Sequence, residues 1–342
     1  MRPVTSTDAT TTAPLSKRSL GQWIWAALGL VVLGLALWGI KTISGQVTWA
    51  EIVADIKATP PHYLVLAALS AAMSYVVLVL YDWLAVRHLN YKVGWPTLAA
   101  ASFGSFTMSH ALGLTVLTGG TVRYRIYTRA GIKPLDIALI IALCGWTFWL
   151  GIIVVAGVGL LVAPDLAEPL GGVLPGPLKD YATIIKDWAG AILLAGAVAY
   201  TITAWLWRRV IKLYRYEFYL PDLRETLLQI GIGVVDLAFA GAALYLLLPD
   251  AGAVDLLTWL TIYAVAMVAG ALSHAPGGLG VFELVVVALL PESPRAGVLA
   301  ALVLFRVIYT YIPFALGLCV IGWSEFTALR ARRGARRAAV TP

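Results

Sequence analysis

The chain divides into long uncharged windows separated by short polar stretches. Windows 21–40, 63–81, 137–162 and 188–207 contain no Asp, Glu, Lys or Arg. An α-helix rises 1.5 Å per residue and takes about 20 residues to cross the hydrocarbon core of a bilayer, so each window predicts a spanning helix. Windows 226–249 and 296–323 are as long but hold one charge each, Asp236 and Arg306. Six crossings are expected, the last two with something polar to hide.

Two further apolar stretches do not fit a simple alternation of spans. Lys17, Arg18, Arg87 and Lys92 place the N-terminus and the loop after the second span on the cytoplasmic side. If 97–118 crossed from there, Arg123, Arg125, Arg129 and Lys133 would lie outside, against the positive-inside rule. A re-entrant hairpin over about 97–133 resolves this, because it returns to the face it left. The same reasoning makes 256–292 begin and end outside, with "HAPGGLG" at 274–280 as its turn. There His274 lies at the tip, Pro276 breaks the helix, and Gly277, Gly278 and Gly280 permit a tight reversal. Irregular backbone at depth is tolerated only where protein buries it or a wet cavity receives it.

The expected fold is therefore an all-α polytopic membrane protein of six full spans plus two re-entrant helical hairpins, with both termini cytoplasmic. Each half reads span, span, hairpin, span, and the halves start on opposite faces, which makes an inverted repeat. "SHALG" at 109–113 and "SHAPG" at 273–277 echo one another in corresponding hairpins. The expected organisation is a disordered cytoplasmic tail (1–20), a first repeat (21–162), an extracytoplasmic linker (163–187), a second repeat (188–323) and a basic cytoplasmic tail (324–342). Broken segments in opposed halves are the pattern of transporters with a site near the midplane.

Composition agrees: of 342 residues, 60% are hydrophobic and 13% charged, which excludes an ordinary soluble domain. The formal net charge of +7 gathers at loop ends and in "RARRGARRAAV", a topology signal and a holder of anionic headgroups rather than a nucleic-acid footprint. Cys144 and Cys319 fall in separate apolar spans and read as packing residues. No P-loop, HExxH, CxxC or GxSxG pattern occurs, so ATP hydrolysis, zinc chemistry and serine hydrolysis have no sequence support, and no metal or cofactor is expected.

The candidate chemistry lies in the buried charges. Asp236 and Arg306 each sit about ten residues, or about 15 Å, into a span and should face the interior, pairing with each other or with Glu283 beside the glycine turn. Such a set either serves as a cation or proton site, carried by Glu283 and Asp236, or is a buried ion-pair network that only fixes packing. On the return limb of the first hairpin, helical spacing puts Arg125 and Arg129 on one face and Arg123 with Tyr127 on an adjacent one. Arginine forks grip phosphate oxygens bidentately, as a phospholipid headgroup site requires; an interfacial helix anchored by arginines is the competing reading.

These residues carry a resemblance. "GGTVRYRIYTRAGIKPLDIA", "LPDLRETLLQIGIGVVDLAFAGAALYLLLP", "SHAPGGLGVFE" and "FRVIYTYIPFALGL" occur in order over about 97–320. Together they resemble the flippase region of the bacterial lysylphosphatidylglycerol synthetase/flippase (multiple peptide resistance factor) and its stand-alone relatives. The resemblance implies a flippase of the bacterial cytoplasmic (inner) membrane that moves aminoacylated phosphatidylglycerol, lysylphosphatidylglycerol above all, from inner to outer leaflet. It also implies resistance to cationic antimicrobial peptides. The aminoacyltransferase domain of the full-length family has no counterpart before Pro342, so a transporter rather than an enzyme is expected. The alternatives are a carrier of another lipid, such as a polyprenyl-phosphate intermediate, and a membrane interaction module that transports nothing. Expected partners are anionic and aminoacylated membrane phospholipids and a separate lipid synthase; nucleic acid is not expected, and an oligomer stays compatible with the sequence.

Overall fold

The computed structural model describes residues 47–113, 117–163, 166–174, 176–206, 210–213, 216–249, 254–273, 275–291 and 293–322. The first expected span (21–40), both tails and His274 lie outside them. The chain is a helical, multi-pass membrane protein, with five helices among the described residues long and apolar enough to cross. In order the elements are α1 (Trp49–Ala58), α2 (Pro61–His88), α3 (Trp95–Leu112), α4 (Thr118–Arg129), α5 (Pro134–Val162) and α6 (Ala167–Val173). A 3-10 segment (Gly176–Tyr181) leads into α7 (Ala182–Leu206), followed by a short antiparallel strand pair, β1 (Val210–Leu213) and β2 (Tyr216–Tyr219). Then come α8 (Leu223–Tyr245), α9 (Leu256–Leu272), a 3-10 turn (Pro276–Gly278), α10 (Val281–Leu289) and α11 (Arg295–Phe305). The helix of α11 continues through a π-helical turn, Arg306–Tyr311, to Gly322.

Local chemistry sets the helix ends. Proline opens α2, α3 and α5 in the first turn, where its missing N–H would be unsatisfied anyway. The α8 N-terminus is a capping box: Asp222 accepts from the Glu225 N–H and Glu225 accepts from the Asp222 N–H. Just past α2, Asn90 takes a left-handed conformation (φ 60°) and the Tyr91 N–H returns to the Val86 carbonyl, a Schellman-type stop.

The long helices approach closely because small residues line their crossings. A Cβ at Gly151 on α5 would lie 2.5 Å from the Gly233 carbonyl carbon on α8, and one at Gly190 on α7 would lie 2.9 Å from the Gly157 carbonyl oxygen on α5. With no hydrophobic drive between helices in lipid, such backbone approach is a main source of packing energy.

Between the long helices lie two antiparallel pairs of shorter ones, α3 with α4 and α9 with α10. The first is drawn tight at Gly119, where a Cβ would fall 2.7 Å from the Ser105 carbonyl oxygen. The second turns through Gly277, Gly278 and Gly280 at φ 61°, 66° and 85°, values that L side chains resist. Each half thus reads long helix, paired helices, long helix: α2, α3–α4, α5 and α8, α9–α10, α11.

Candidate functional site

The tips of the two helix pairs meet. A Cβ on Gly277 would lie 2.9 Å from the His110 carbonyl oxygen and 3.5 Å from that of Ala111, so only glycine lets the turn lie against the C-terminal end of α3. The junction sits halfway along the long helices. Tyr75 is fifteenth of the 28 residues of α2, and its hydroxyl lies 3.3 Å from His110 Nδ1 while donating to the Tyr309 carbonyl at 3.0 Å. Tyr309 is in turn fifteenth of 28 in the helix Arg295–Gly322, and its ring stacks on His110 at 5.6 Å between centroids.

Around this junction lies a second layer of polar groups. Arg306, at the start of the π turn, reaches Glu283 Oε1 with Nε and Nη2, both at 2.7 Å, and donates from Nη1 to the Gly277 carbonyl at 2.9 Å. Glu283 Oε2 accepts from the Gly280 N–H at 2.7 Å, which ties the acid to the glycine turn it follows. Phe282 lies beneath the guanidinium, 5.4 Å from ring centre to Cζ. Of the partners expected for Arg306, the structure selects Glu283. Asp236 is not paired with Arg306: its carboxylate accepts from the Ser74 hydroxyl at 2.6 Å and the Tyr81 hydroxyl at 3.0 Å, and Ser74 also meets the Tyr309 hydroxyl at 2.8 Å.

The arginines of the first pair part company. Arg123 turns inward: Nε and Nη2 hold both oxygens of Asp82 at 2.9 and 2.8 Å, Tyr127 donates to the same carboxylate at 2.7 Å, and Phe106 lies 4.6 Å from Cζ. The Arg123 and Asp82 side chains are 1% and 0% exposed, so this fork is occupied by protein and is not offered to lipid. Arg125 and Arg129 are exposed, as is Tyr124. Beside them a groove of about 230 Å³ runs between α4 and α5, lined by Gly120, Thr121, Tyr124 and the apolar face Pro134, Ile137, Ala138 and Ile141.

Sequence reasoning missed Asp82, Ser74, Tyr75 and Tyr309. The uncharged window 63–81 stops one residue before Asp82, whereas the helix runs on to His88 and takes the acid inside. A usable signal was present: Arg123 and Tyr127, four residues apart on one face, form a donor pair waiting for an acceptor. The tyrosines and Ser74 gave none, since single polar hydroxyls are common in spans.

The family model described as "Lysylphosphatidylglycerol synthase TM region" matches residues 24–317. The chain is similar to the uncharacterized protein slr0712 of Synechocystis, 31% identical over 313 residues, covering 91% of this chain and 94% of that one. It is also similar to the inner membrane protein YbhN of Escherichia coli, 30% identical over 297 residues, covering 85% of this chain and 89% of that one.

Proposed function

Since the chain belongs to the lysylphosphatidylglycerol synthase transmembrane-region family, we propose that it is a phospholipid translocase of the bacterial inner membrane, moving aminoacylated phosphatidylglycerol from inner to outer leaflet. The observation that carries this reading is the tip-to-tip contact of two broken helix pairs, at His110 and Gly277, halfway along the spans. In the proposed topology both pairs are re-entrant hairpins from opposite faces of an inverted repeat, and their junction lies at the bilayer midplane, where transporters of this design place their cargo.

Exposed tryptophans support that orientation. Trp49 and Trp188, 68% and 66% exposed, lie at the proposed outer boundary, and Trp95 and Trp205, 56% and 65% exposed, at the cytoplasmic one. On the cytoplasmic side, Arg125 and Arg129 receive the lipid phosphate and the α4–α5 groove takes part of an acyl chain. Glu283, on exchanging Arg306 for the headgroup, and Asp236, when ionised, supply negative charge for a cationic headgroup. Arg123 serves this site from within, as the bolt that fixes α4 to α2. A cargo of net charge +1 moving outward against about 100 mV, inside negative, costs about 2.3 kcal/mol, so an energy source beyond diffusion is required for accumulation.

The test is leaflet exchange in reconstituted vesicles. Fluorescent lysylphosphatidylglycerol and phosphatidylglycerol are followed by dithionite quenching with wild type, Arg125→Ala and Glu283→Gln. Faster movement of the lysyl lipid that both substitutions abolish is the expected result. Equal, protein-independent rates in all three samples would remove this lipid as cargo.

A further inference from the structure

Among the described residues, three carboxylates lie along the long and paired helices away from the bundle ends, and two are matched by arginine: Asp82 with Arg123, and Glu283 with Arg306. The third, Asp236, is 6% exposed, and no Lys, Arg or His nitrogen among the described residues approaches its oxygens within ion-pair distance. Its partners are hydroxyls alone, Ser74 and Tyr81 of α2. An ionised carboxylate in such a place is an uncompensated charge in the membrane interior, and a bound proton removes that charge.

The hydrogen-bond directions form a path. Ser74 has one hydroxyl proton and gives it to Asp236, so the Tyr309 hydroxyl must be the donor to Ser74. Tyr309, Ser74 and Asp236 therefore form a directed chain from the junction inward, with Tyr81 donating to the second carboxylate oxygen. The other titratable groups facing this cluster are Tyr75 of α2, Tyr263 of α9 and Cys144 of α5, with His110 of α3 stacked on Tyr309. Arg306 lies one turn before Tyr309, but Glu283 of α10 and the Gly277 carbonyl hold its guanidinium.

We propose that Asp236 is the proton carrier of this protein, taking up and releasing one proton per transport cycle through Ser74 and Tyr309, in antiport with the outgoing lipid. The antiport rests on the translocase reading above; the proton site itself does not. On uptake, Ser74 passes its proton to Asp236 Oδ1, Tyr309 passes its own to Ser74, and water at the junction reprotonates Tyr309. The net change is one proton gained by the carboxylate and one lost by the water. Uptake turns Asp236 from pure acceptor into donor, so at least one hydroxyl around it must reorient. That change is felt at Tyr309, three residues after the arginine that clamps Gly277 and Glu283. Glu283 is excluded from this role because Arg306 and the Gly280 N–H satisfy both of its oxygens.

The experiment uses the full chain in vesicles and has two readouts. In acid-minus-alkaline infrared difference spectra, the wild type should show the high-frequency carboxyl band of a dehydrated protonated acid. Asp236→Asn should abolish it, whereas Glu283→Gln and the surface change Asp180→Asn should leave it. Tyr309→Phe, which keeps the carboxylate but cuts the path, should retain the band and slow its appearance after a pH jump; this variant decides the matter if Asp236→Asn does not fold. A band that is missing in the wild type, or that survives in Asp236→Asn, overturns the proposal.

For coupling, one imposed unit of pH gradient should shift the leaflet ratio of labelled lysylphosphatidylglycerol about tenfold in wild type and leave it unmoved in Asp236→Asn. Lipid exchange that ignores the gradient in wild type overturns the coupling while leaving the translocase reading intact. Absence of any exchange removes the translocase reading and the antiport together, and the infrared band then decides for or against Asp236 as the proton site.

Discussion

The Asp82–Arg123 pair allows a quantitative test of what holds α4 in place. Both side chains are shut off from solvent, and both guanidinium bonds are under 3 Å. Removing one partner strands the other as a buried charge, at a cost of about 3–5 kcal/mol, whereas replacing both by apolar residues of similar size is neutral to within a few kcal/mol. Asp82→Leu and Arg123→Met should therefore each be strongly destabilising, and the double variant Asp82→Leu/Arg123→Met should recover much of the loss. At about 2 °C per kcal/mol for a chain of this size, each single change should lower the midpoint of heat-induced loss of monodisperse protein by about 6–10 °C. Tyr127→Phe, which removes one hydroxyl donor, should cost about 1–2 kcal/mol. The assay is the same heating series for all variants in one detergent, read as a double-mutant cycle. If the double variant loses the sum of the two singles, the pair is not a coupled unit and the reasoning fails.

Four further outcomes follow from packing and electrostatics. Gly151→Val puts a side chain where a Cβ already lies 2.5 Å from the Gly233 carbonyl carbon, and should cost at least about 1–3 kcal/mol in the same heating series. Gly145→Ala on the same helix meets nothing within 4 Å and should be neutral or slightly stabilising. Tyr91, in the loop after α2, donates to Asp136, and that hydrogen bond pushes its phenol above the ordinary range. Its contribution to stability is present below the ordinary phenol pKa and is lost as pH rises through the higher folded-state value. Asp136→Asn should move one tyrosine of an absorbance titration back to the ordinary range. Hydrogen exchange should be faster over Pro276–Leu289 than over Thr118–Arg129; equal protection of the two segments would contradict the difference between their ion pairs argued below.

Much of the fold was legible because its signals are long and redundant. Five of the six expected windows coincide with membrane-length helices, with ends displaced by up to 12 residues, since hydropathy marks the lipid boundary but not where a helix stops. Helix pairs stand at both stretches where charge placement and the glycines around Gly277 put a hairpin, and their return to one membrane face belongs to the proposed topology. What escaped was partner choice. Arg306 had two acids within reason, Asp236 and Glu283, and only the three-dimensional placement of α10 against the π turn selects Glu283. Asp82 escaped because it follows an apolar run, where an acid reads as the start of a loop, although α2 continues for six residues beyond it.

The two helix pairs are latched by ion pairs of opposite polarity and unequal burial. In the first, the paired helix brings the arginine and the long helix the acid, at 1% and 0% exposure; in the second, the paired helix brings the acid and the long helix the arginine, at 18% and 13%. A dry pair must lose its full interaction before water can compensate, whereas a pair already partly wet can exchange partners with water or a headgroup at lower cost. The second pair also rests on three left-handed glycines and a nine-residue helix, and its arginine begins a π turn, a geometry found often where helices serve function. In the proposed translocase the half able to yield is therefore α9–α10, with α3–α4 as the fixed wall. Asp236 connects to the same helix: in the proposed cycle its proton acts through Ser74 and Tyr309 on the helix that carries the weaker latch, so a small change at one carboxylate can bias the junction without first breaking Asp82 from Arg123.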